Sequence, residues 1–553
     1  MKQEYDVIVV GSGAAGMAAA LTASEAGLSV VVLEKTPYFG GTTSLSGGVM
    51  WIPNNHLMEA AGIEDSADDA LAYLRHNIGN RVSDEKLRQL VDKAPEMLKF
   101  MTDNEFLEVD IFKGFPDYRA ETPGGKPGGR SVEPRVFQGR KLKDAFKSLR
   151  QPGASPPVVG TMTELRQLAV IRSDFAEFLK AWKVMPRNFL AKLTGGKLKA
   201  TGGGLISWLA HALQNRNVPI TLECQLNRVL VEDGRVVGVS AIKDGEEREI
   251  RATHGVILAA GGFDHNKELR AQHFGKYGGT DYSSGSPGNE GDVISSVGHL
   301  NVAFDLMDDA WWAPTCLPTG MGPQIVIFER GKPGQIIVSK EGKRFANEAQ
   351  PYADLVRSMF DADRAGLTTL PSYMVFDQRY RDAYPLAGMM PGITPEAHIK
   401  SGFLKRADSI EELAEITGID PDGLRQTIEH FNGMAANGRD EDFQRGEFAF
   451  DQFSGDNTFT PNNCLAPITT PPFYSIEIYA GDLGTRGGIL TNEHAQALDT
   501  NGEVVDGLYA AGNCSACVVG NFYPGAGGTI GPAMTYGYIA AKHIASQSDS
   551  LPK

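Results

Sequence analysis

The sequence predicts an α/β protein that begins with a Rossmann-like, dinucleotide-binding domain. Residues 6–10 (DVIVV) contain an unbroken, β-branched apolar run after Asp6, which is typical of a central parallel strand. Residues 11–16 then read G-S-G-A-A-G, and an alanine-rich helical pattern continues to about Ala26. A second strand, predicted over residues 29–33, ends at Glu34. A G-x-G-x-x-G motif that follows a strand, opens a helix and precedes an acidic residue indicates a dinucleotide site.

The three glycines of this motif have separate physical purposes. Gly11 permits the tight turn, Gly13 lets the backbone approach a pyrophosphate, and Gly16 lets the helix pack against the strand. The N–H groups and the dipole at the start of the helix favour a diphosphate. Glu34 is expected to accept hydrogen bonds from a ribose 2′-hydroxyl. The cofactor contacts predicted in this unit are Gly11, Ser12, Gly13, Ala14, Ala15, Gly16, Glu34 and Lys35.

Length and composition limit the remaining possibilities. A chain of 553 residues is too long for one compact domain, and 42% hydrophobic and 22% charged residues are ordinary for a globular enzyme. The net charge of −15 argues against a nucleic-acid partner, because neutralising phosphates needs a basic face. No apolar run is long enough to span a bilayer, and the first residues do not resemble a signal peptide. We therefore expect a cytoplasmic protein.

Glycine-rich segments recur far from the first turn, at 40–48, 256–263, 507–513 and 525–531. NAD and FAD share the G-x-G-x-x-G fingerprint, but a flavin cofactor runs across the whole domain and needs glycine-rich loops from distant parts of the chain. The segments therefore favour FAD. Their predicted cofactor contacts are Gly41, Thr42, Thr43, Ser46, Gly47, Gly48, Ala260, Gly261, Gly512, Asn513, Gly528, Thr529 and Ile530.

Taken together, these segments resemble the FAD-dependent fumarate reductase and ketosteroid dehydrogenase superfamily over nearly the whole chain. The resemblance implies an FAD-binding domain of the glutathione-reductase type, formed by residues 1–312 and 483–553. It also implies an inserted α+β domain, 313–482, that caps the substrate. This middle part mixes aromatic and acidic stretches with short helical patterns such as SIEELAEITG (409–418).

The fumarate reductase branch holds a dicarboxylate with a histidine and arginines, since two anions need fixed cationic donors. Residues 480–488 read AGDLGTRGG, and the histidine of that branch is replaced there by Asp482 and Leu483. A histidine that tethers FAD often precedes the S/A-x-G-G segment of this branch. Here the neighbourhood reads TTSLSGG with Ser44, so we predict non-covalent FAD.

Three tyrosine-bearing segments resemble those of 3-ketosteroid Δ1-dehydrogenases instead. They are PDYRAETPGGKPGGRSVEP (116–134), SKEGKRFANEAQPY (339–352) and GNFYPGAGGTIGPAMTYGY (520–538), and SGGVMWIPNN (46–55) also matches the family. The resemblance places the active-site tyrosines at Tyr118, Tyr352 and Tyr523, with Gly527 beside the last of them.

The roles implied by the resemblance suit the chemistry. Tyr523 and the Gly527 N–H would donate to the 3-keto oxygen and stabilise the developing enolate. Tyr352, assisted by Tyr118, would remove the proton from carbon 2 of the steroid, and FAD N5 would take hydride from carbon 1. An unperturbed tyrosine has a pKa near ~10, so a base needs either a lowered pKa or concerted transfer.

Other functions remain open at this point. A related enzyme could act at carbons 4 and 5 of a 3-ketosteroid, or could reduce an activated alkene as fumarate reductases do. A flavoprotein without catalytic activity, serving electron transfer or binding, is a third possibility, although such a module has no need of the tyrosine set. The expected substrate is a 3-ketosteroid or a sterol-derived compound with a side chain, and the expected electron acceptor is external, such as a quinone.

The five cysteines, among them Cys514 and Cys517 in a C-x-x-C, are sparse and odd in number. A redox pair or half of a zinc site is conceivable, but no second pair or histidine lies at zinc spacing. We expect buried thiols and no metal site.

Residues 140–200 form a basic insertion. It contains 13 Lys and Arg against four Asp and Glu, a local balance of +9 in a chain of −15. Apolar residues recur at helical spacing between the basic ones: Leu168, Ile171, Phe175, Phe178, Leu179 and Trp182. Such a segment can lie in an anionic membrane interface, so we expect peripheral attachment through residues 156–195. A helix packed on the protein with a solvated basic face is the alternative.

Overall fold

The computed structural model describes residues 2–152, 158–169 and 179–548. Within them, a main sheet of eight strands forms the first domain. Six of the strands follow one another in the order Gln496–Leu498, Val504–Ala510, Glu246–Leu258, Glu4–Val10, Val30–Leu33 and Ile220–Thr221. The other two extend the sheet from Glu246–Leu258: Arg235–Lys243 pairs with that strand, and Cys224–Glu232 pairs with Arg235–Lys243. The central strands are parallel, with Val7 opposite both Gly255 and Val30. The α/β, Rossmann-like prediction is confirmed.

The first βαβ unit has the geometry that its glycines predict. The helix Ala14–Glu25 follows the strand Glu4–Val10 after one turn. Gly11 has φ +106°, a conformation that favours glycine. A Cβ at Gly16 would lie 2.0 Å from the carbonyl oxygen of Gly11, so a larger residue would push the helix off the strand.

Helices cover the faces of the main sheet. They are His56–Ala60, Ala67–Ile78, Asp84–Asp103, Thr201–Asn215, Lys267–Phe274, Asp292–Ser296 and Ile530–Ser548. The helix Ile530–Ser548 packs on Ala14–Glu25, and a Cβ at Gly537 would lie 2.3 Å from the Ala15 carbonyl oxygen. A three-stranded sheet of Met50–Trp51, Ser131–Pro134 and Val109–Ile111 lies beside the helices.

The middle of the chain forms a second, antiparallel sheet. Its strands are Gln324–Ile325, Ala310–Cys316, Phe473–Thr485, Ser372–Asp377 and Gln335–Val338, with Lys405–Ala407 paired to Phe473–Thr485. The accompanying helices are Tyr352–Arg364, Gln378–Ala383, Glu396–Lys400, Ile410–Thr417, Pro421–Asn437 and Ala449–Ser454. The helix predicted within 409–418 runs from Ile410 to Thr417, and the side chain of Ser409 caps its N-terminus by accepting from Glu412 N.

The predicted limits of the middle domain fall inside two neighbouring strands of this sheet, Ala310–Cys316 and Phe473–Thr485. The division at 313 and 482 stays a prediction. Both strands begin or end next to the main domain, and a two-stranded pair, Phe304–Asp305 with Gly488–Ile489, lies at this junction.

The basic insertion starts and ends at one place, where Phe137–Gln138 pairs with Leu198–Lys199. Between these strands lie the helices Met162–Ala169 and Val184–Leu193. Ile171, Phe175 and Phe178 of the predicted apolar stripe lie outside the described residues. In the described part of the chain, no helix has both the length and the apolar character needed to cross a membrane.

Candidate functional site

One large cavity lies between the main sheet, the middle domain and the basic insertion. It extends from the first βαβ turn, at Gly11, to the aromatic side chains of Phe112 and Phe328. Glycine-rich backbone lines one end and aromatic side chains line the other. The lining therefore joins a cleft suited to a dinucleotide to a chamber suited to an apolar molecule.

The glycine-rich end fits a flavin dinucleotide. The helix Ala14–Glu25 begins at Gly13, which has no side chain to cap it. Thr43 Oγ1 accepts from Ala14 N, and the following N–H groups of the first turn are left for an anion at the cavity wall. At the end of the second strand, the buried Glu34 accepts from Ser12 Oγ (2.5 Å) and from Thr36 N (3.0 Å), and its carboxylate borders the cavity. A diphosphate and a ribose hydroxyl are the groups that such donors and acceptors hold.

Other predicted cofactor contacts are held in place by the protein itself. Thr43 Oγ1 accepts from Ala14 N at 3.2 Å, and Thr42 Oγ1 accepts from the side chain of Asn289 at 3.0 Å. Lys35 Nζ is ion-paired with Asp292 at 2.6 Å and with Glu290 at 2.8 Å. These bonds fix the walls of the cleft before any ligand binds.

Most predicted cofactor contacts line this cavity. They are Gly11, Ser12, Gly13, Ala14, Ala15, Glu34, Lys35, Gly41, Thr42, Thr43, Ser46, Gly47, Gly48, Ala260, Gly261, Gly512, Asn513, Thr529 and Ile530. Gly16 instead packs under the first turn, and Gly528 borders a small neighbouring cavity. Ser44, at the position of the tethering histidine, donates to the Arg150 carbonyl at 2.6 Å and does not line the cavity.

The three predicted tyrosines meet at the apolar end. Their ring centroids are 5.5 Å apart for Tyr118 and Tyr352, 5.2 Å for Tyr118 and Tyr523, and 5.2 Å for Tyr352 and Tyr523. All three are buried and line the cavity. They come from three distant parts of the chain, and tertiary packing forms a single cluster from them.

Each tyrosine is held by its own local structure. Tyr118 lies in the loop before the strand Ser131–Pro134, and its N–H donates to the Pro524 carbonyl at 3.1 Å. Tyr352 is the first residue of the helix Tyr352–Arg364. Tyr523 precedes the last helix, and its hydroxyl accepts from Thr529 Oγ1 at 3.2 Å.

The backbone around Gly527 tolerates only glycine. Its φ is +86°, and a Cβ there would lie 2.4 Å from the Val49 carbonyl oxygen. The Gly527 carbonyl accepts from Trp51 N at 3.0 Å, whereas no described residue accepts from the Gly527 N–H. This N–H is therefore left for a ligand in the cavity that Gly527 lines.

Burial raises the pKa of all three phenols. For Tyr118 and Tyr352 the pKa is well above its ordinary value, and for Tyr523 it is raised. The hydroxyls also interact with one another, so the cluster titrates as a unit. A tyrosine base needs either a lowered pKa or concerted proton transfer, and none of the three tyrosines has a lowered pKa.

The wall beyond the tyrosines is apolar. It is formed by Leu45, Phe112, Phe115, Met162, Ile325, Ile327, Phe328 and Leu483. Among the described residues that line the cavity there is neither an arginine nor a histidine, and Lys35 lies at the opposite, dinucleotide end. Met162 belongs to the basic insertion, which thus contributes to the substrate wall.

Asp482, at the position where dicarboxylate enzymes carry a histidine, is fully buried and paired with Arg270 at 2.8 Å. It also accepts from Ser283 Oγ at 2.7 Å and from Gly484 N at 3.0 Å. This carboxylate serves the packing of the strand and is not directed to a ligand.

The helix start at Gly13, the buried acid after the second strand and the adjoining apolar chamber define a flavin-dependent enzyme class. The family model described as FAD binding domain matches residues 6–530, and FAD is the cofactor. A 3-oxosteroid 1-dehydrogenase of Mycolicibacterium smegmatis is 44% identical over 563 residues, covering 100% of this chain and 99% of the relative. The chain belongs to the 3-ketosteroid Δ1-dehydrogenase family of FAD-binding proteins.

Two further comparisons bear on the site. The crystal structure of a 3-ketosteroid Δ1-dehydrogenase from Sterolibacterium denitrificans, in complex with 1,4-androstadiene-3,17-dione, matches with a TM-score of 0.95 at 37% identity, covering 99% of this chain and 100% of that one. A 4-oxocyclohexanecarboxylate 2-dehydrogenase of Sinomonas cyclohexanicum is 36% identical and covers 99% of this chain and 94% of the relative.

Sequence reasoning missed several residues of the site. The aromatic wall of Phe115 and Phe328 is absent from the prediction, because an aromatic residue in a loop carries no positional signal. Two fully buried arginines behind the tyrosines, Arg330 and Arg486, were also missed. Arg486 stands in the quoted segment AGDLGTRGG, where nothing in the sequence marks its charge as buried.

Proposed function

We propose that the protein catalyses the FAD-dependent 1,2-dehydrogenation of a 3-ketosteroid. The observation that carries the proposal is the cluster of Tyr118, Tyr352 and Tyr523 at the boundary between the dinucleotide cleft and an apolar chamber. Removing hydrogen from the carbons beside a ketone needs donors for the ketone oxygen and a proton acceptor for the adjacent carbon. The cluster can supply both.

The proposed roles divide between the two sides of the cluster. Tyr523 and the Gly527 N–H donate to the 3-keto oxygen and stabilise the negative charge that forms there as the carbon 2 proton leaves. Tyr352 accepts that proton as its phenolate and becomes the neutral phenol, and Tyr118 is its hydrogen-bonding neighbour. Bound FAD supplies the hydride acceptor for carbon 1.

The apolar wall favours a neutral polycyclic substrate over a small carboxylate. A carboxylate in such a site would need a cationic or hydrogen-bonding partner to offset its desolvation. Among the described residues, no arginine or histidine lines the cavity, and Lys35 is already paired with two carboxylates. A 4-oxocyclohexanecarboxylate is therefore the weaker candidate substrate. A Δ4-dehydrogenase and an alkene reductase remain alternatives that the same test separates.

We also propose that the enzyme works at an anionic membrane surface and passes electrons to an external acceptor such as a quinone. The large apolar side chains of residues 179–193 are between 39% and 68% exposed: Leu179, Trp182, Met185, Phe189, Leu190 and Leu193. Lysines 180, 183 and 192 are exposed in the same stretch. Apolar burial and attraction to anionic lipid would add.

A structural link joins this surface to the cavity. Arg187 Nη2 is paired with Glu164 Oε2 at 2.7 Å, which ties the helix Val184–Leu193 to the helix Met162–Ala169. Met162 at the start of the latter helix lines the cavity. A poorly soluble steroid would thus have a short path from a bilayer to the tyrosines.

Anaerobic bleaching of the flavin tests the proposed reaction. The holoenzyme is mixed with a panel of a saturated-ring-A 3-ketosteroid, a 4-ene-3-ketosteroid, 4-oxocyclohexanecarboxylate and succinate, and the products are identified by mass spectrometry. We expect bleaching with both steroids and a new double bond between carbons 1 and 2. Bleaching by 4-oxocyclohexanecarboxylate alone, or a new bond at carbons 4 and 5, would overturn the proposal.

A further inference from the structure

Arg486 is a fully buried guanidinium that holds the segment carrying Tyr523. Its Nη1 donates to the carbonyls of Gly520 (2.9 Å) and Phe522 (2.7 Å), and its Nε donates to Ala310 at 3.1 Å. Phe522 directly precedes Tyr523, and Ala310 starts a strand of the second, antiparallel sheet. Arg486 therefore fixes the position of Tyr523 relative to that sheet.

The charge of Arg486 lies close to the reacting end of the site. Its guanidinium carbon is 3.8 Å from the centroid of the Trp311 ring and 5.8 Å from that of Tyr523. The Trp311 ring contacts Tyr523 edge to face, with the centroids 4.7 Å apart. The nearest carboxylate, Asp309, is 3.5 Å from Nε and is already engaged by Arg357 at 2.9 Å.

Arg330 repeats this arrangement for Tyr352. It is fully buried, its Nε donates to the Val326 carbonyl at 2.8 Å, and its Nη1 donates to the carbonyls of Glu348 and Gln350. Gln350 lies two residues before Tyr352, at the start of the helix that Tyr352 opens. Arg330 therefore fixes the chain that carries the proposed base.

The two arginines share a further feature. The Nη2 atom of each is buried without a hydrogen-bond partner among the described residues. An unpaired buried guanidinium edge is costly, so such a group is expected where its charge is used. The positive charge of Arg330 lowers the pKa of Tyr118 and that of Arg486 lowers the pKa of Tyr523, although burial outweighs both and the two pKa values remain raised.

Two other buried arginines, Arg130 and Arg381, lack this combination. Arg130 is paired with Asp65 at 2.6 Å and with Asp117 at 2.8 Å, so its charge is compensated. Arg381 donates to backbone carbonyls of the middle domain, among them that of Tyr384 at 3.0 Å, and none of these belongs to a segment that carries a cluster tyrosine. Arg130 also contacts the residue before a cluster tyrosine, since Asp117 precedes Tyr118, but it does so through a carboxylate that compensates its charge, whereas Arg330 and Arg486 donate to backbone carbonyls.

We propose that Arg330 and Arg486 are positioning residues of the dehydrogenation, each of which fixes the segment that carries one tyrosine. Together their positive charges stabilise negative charge on the tyrosines and on the enolate. The proposal deepens the proposed function and rests on it. A buried, apolar site otherwise opposes both the phenolate and the enolate. The guanidinium groups of Arg330 and Arg486 lie behind the cluster and do not line the cavity. They offset the free-energy cost of these negative charges without contacting the substrate.

Arg486→Met and Arg486→Lys separate position from charge. Rates of flavin reduction by a 3-ketosteroid are measured by anaerobic stopped flow between pH 6 and 10, together with the dissociation constant of the steroid. For Arg486→Met we expect a loss of about 10²-fold in the rate at saturating steroid, since small displacements of a reacting group cost this much. The steroid dissociation constant should change far less than the rate.

The pH profile is the readout that a merely structural role would not move. The groups that face the cluster are Tyr118, Tyr352, Tyr523, Arg330, Arg486, Cys517 and Asp354. Removing one cation disfavours the charged phenolate, so the rising limb should move to higher pH in Arg486→Met. It should stay in place in Arg486→Lys, which retains the charge but loses the fork that binds two carbonyls.

Two controls complete the design. Arg381→Met removes an equally buried, carbonyl-bonded guanidinium away from the tyrosines, and should leave the reduction rate and pH profile as in the wild type. In a Tyr523→Phe background, Arg486→Met should have a much smaller effect than in the wild type, because coupled residues are not additive. FAD content and thermal unfolding are recorded for every variant.

The outcomes distinguish this proposal from the proposed function. If the wild type fails to oxidise any 3-ketosteroid, the function falls. If the wild type is active but Arg486→Met matches Arg381→Met in rate and pH profile, the positioning role falls. If the methionine variants of Arg330 and Arg486 fail to retain FAD, the lysine variants are used instead. An unchanged rate of flavin reduction in both lysine variants would overturn the proposal. A lowered rate with the wild-type pH profile would support it.

Discussion

Tyr352 and Tyr523 meet edge to face, with ring centroids 5.2 Å apart and ring planes at 85°. Tyr352 opens a helix of the middle domain, whereas Tyr523 precedes the last helix of the main domain. The tyrosine cluster therefore exists only while the two domains are packed together. Buried arginines that bond to both the second sheet and the segment before Tyr523, such as Arg486, stabilise that arrangement.

Tyr352→Phe should remove the proposed proton acceptor while preserving the shape of the side chain. Loss of a general base typically costs about 10²–10⁴ in rate. We expect a decrease of this size in flavin reduction by a 3-ketosteroid, with unchanged FAD content. Tyr384→Phe, another buried tyrosine but one of the middle-domain core, is the matched control. Near-normal turnover in Tyr352→Phe would assign Tyr352 to packing alone.

The rate of flavin reduction should depend on pH through the tyrosine cluster. Burial raises the pKa of Tyr352 well above its ordinary value of ~10, so the phenol is protonated at neutral pH. The phenolate fraction then grows with pH, and the rate at saturating steroid should still be rising above pH 8. A plateau reached below pH 8 would indicate a different base with a lower pKa.

Gly527→Ala should disrupt the oxyanion side of the site. A Cβ there would lie 2.4 Å from the Val49 carbonyl oxygen, in addition to the strain of φ +86°. Gly62→Ala is the matched control, because Gly62 has φ +68° with open space around it. The control should lose about 1 kcal/mol of unfolding free energy from backbone strain alone. Gly527→Ala should unfold at a lower temperature than the control and lose steroid oxidation. Equal melting and normal activity would contradict the assignment.

The cofactor should be released by acid. The position at which related enzymes carry a tethering histidine is Ser44 here, and the Ser44 hydroxyl donates a hydrogen bond to the Arg150 carbonyl at 2.6 Å. Precipitation with trichloroacetic acid should therefore leave all flavin absorbance in the supernatant, where chromatography should identify FAD. Flavin that remains with the denatured protein on a gel would show a covalent bond and contradict the prediction.

The basic insertion should bind anionic vesicles. Sedimentation with vesicles containing phosphatidylserine should remove the protein from solution, and phosphatidylcholine vesicles should remove less. Salt should weaken the binding only partly, because it screens charge but not apolar burial. Replacing Trp182 and Phe189 with serine should weaken it further. Replacing Met390 and Ile393, which are equally exposed on the middle domain, should not.

Equal recovery in the supernatant with and without anionic vesicles would defeat the membrane proposal. The insertion would then be a solvated cover of the cavity, held by the pair between Arg187 and Glu164. The effect on turnover separates the two cases, since a membrane path should raise the rate with vesicle-dispersed steroid and leave the rate with dissolved steroid unchanged.

The first βαβ unit, the cofactor class and the three tyrosine segments can be predicted from the order of the amino acids. Local rules suffice for most of the βαβ unit: a Cβ at Gly16 would meet the Gly11 carbonyl oxygen, and residues 7–10 are apolar because both faces of their sheet are covered. Gly11 is predicted by its tight turn, although a Cβ there would also meet the distant Ala259. The tyrosine segments follow from their resemblance to a known family. The same local rules correctly placed the helix Ile410–Thr417 between Ser409 and Gly418.

The contact between the tyrosines and the residues around them are visible only in the folded protein. Tyr118, Tyr352 and Tyr523 are far apart in the chain, so their contact depends on domain packing that no local pattern encodes. Arg330 and Arg486 each look like an ordinary surface cation in the sequence, yet each is fully buried because backbone carbonyls from distant segments satisfy its donors. Burial of a charge is a property of the assembled core, and it is therefore invisible until the fold brings those carbonyls together.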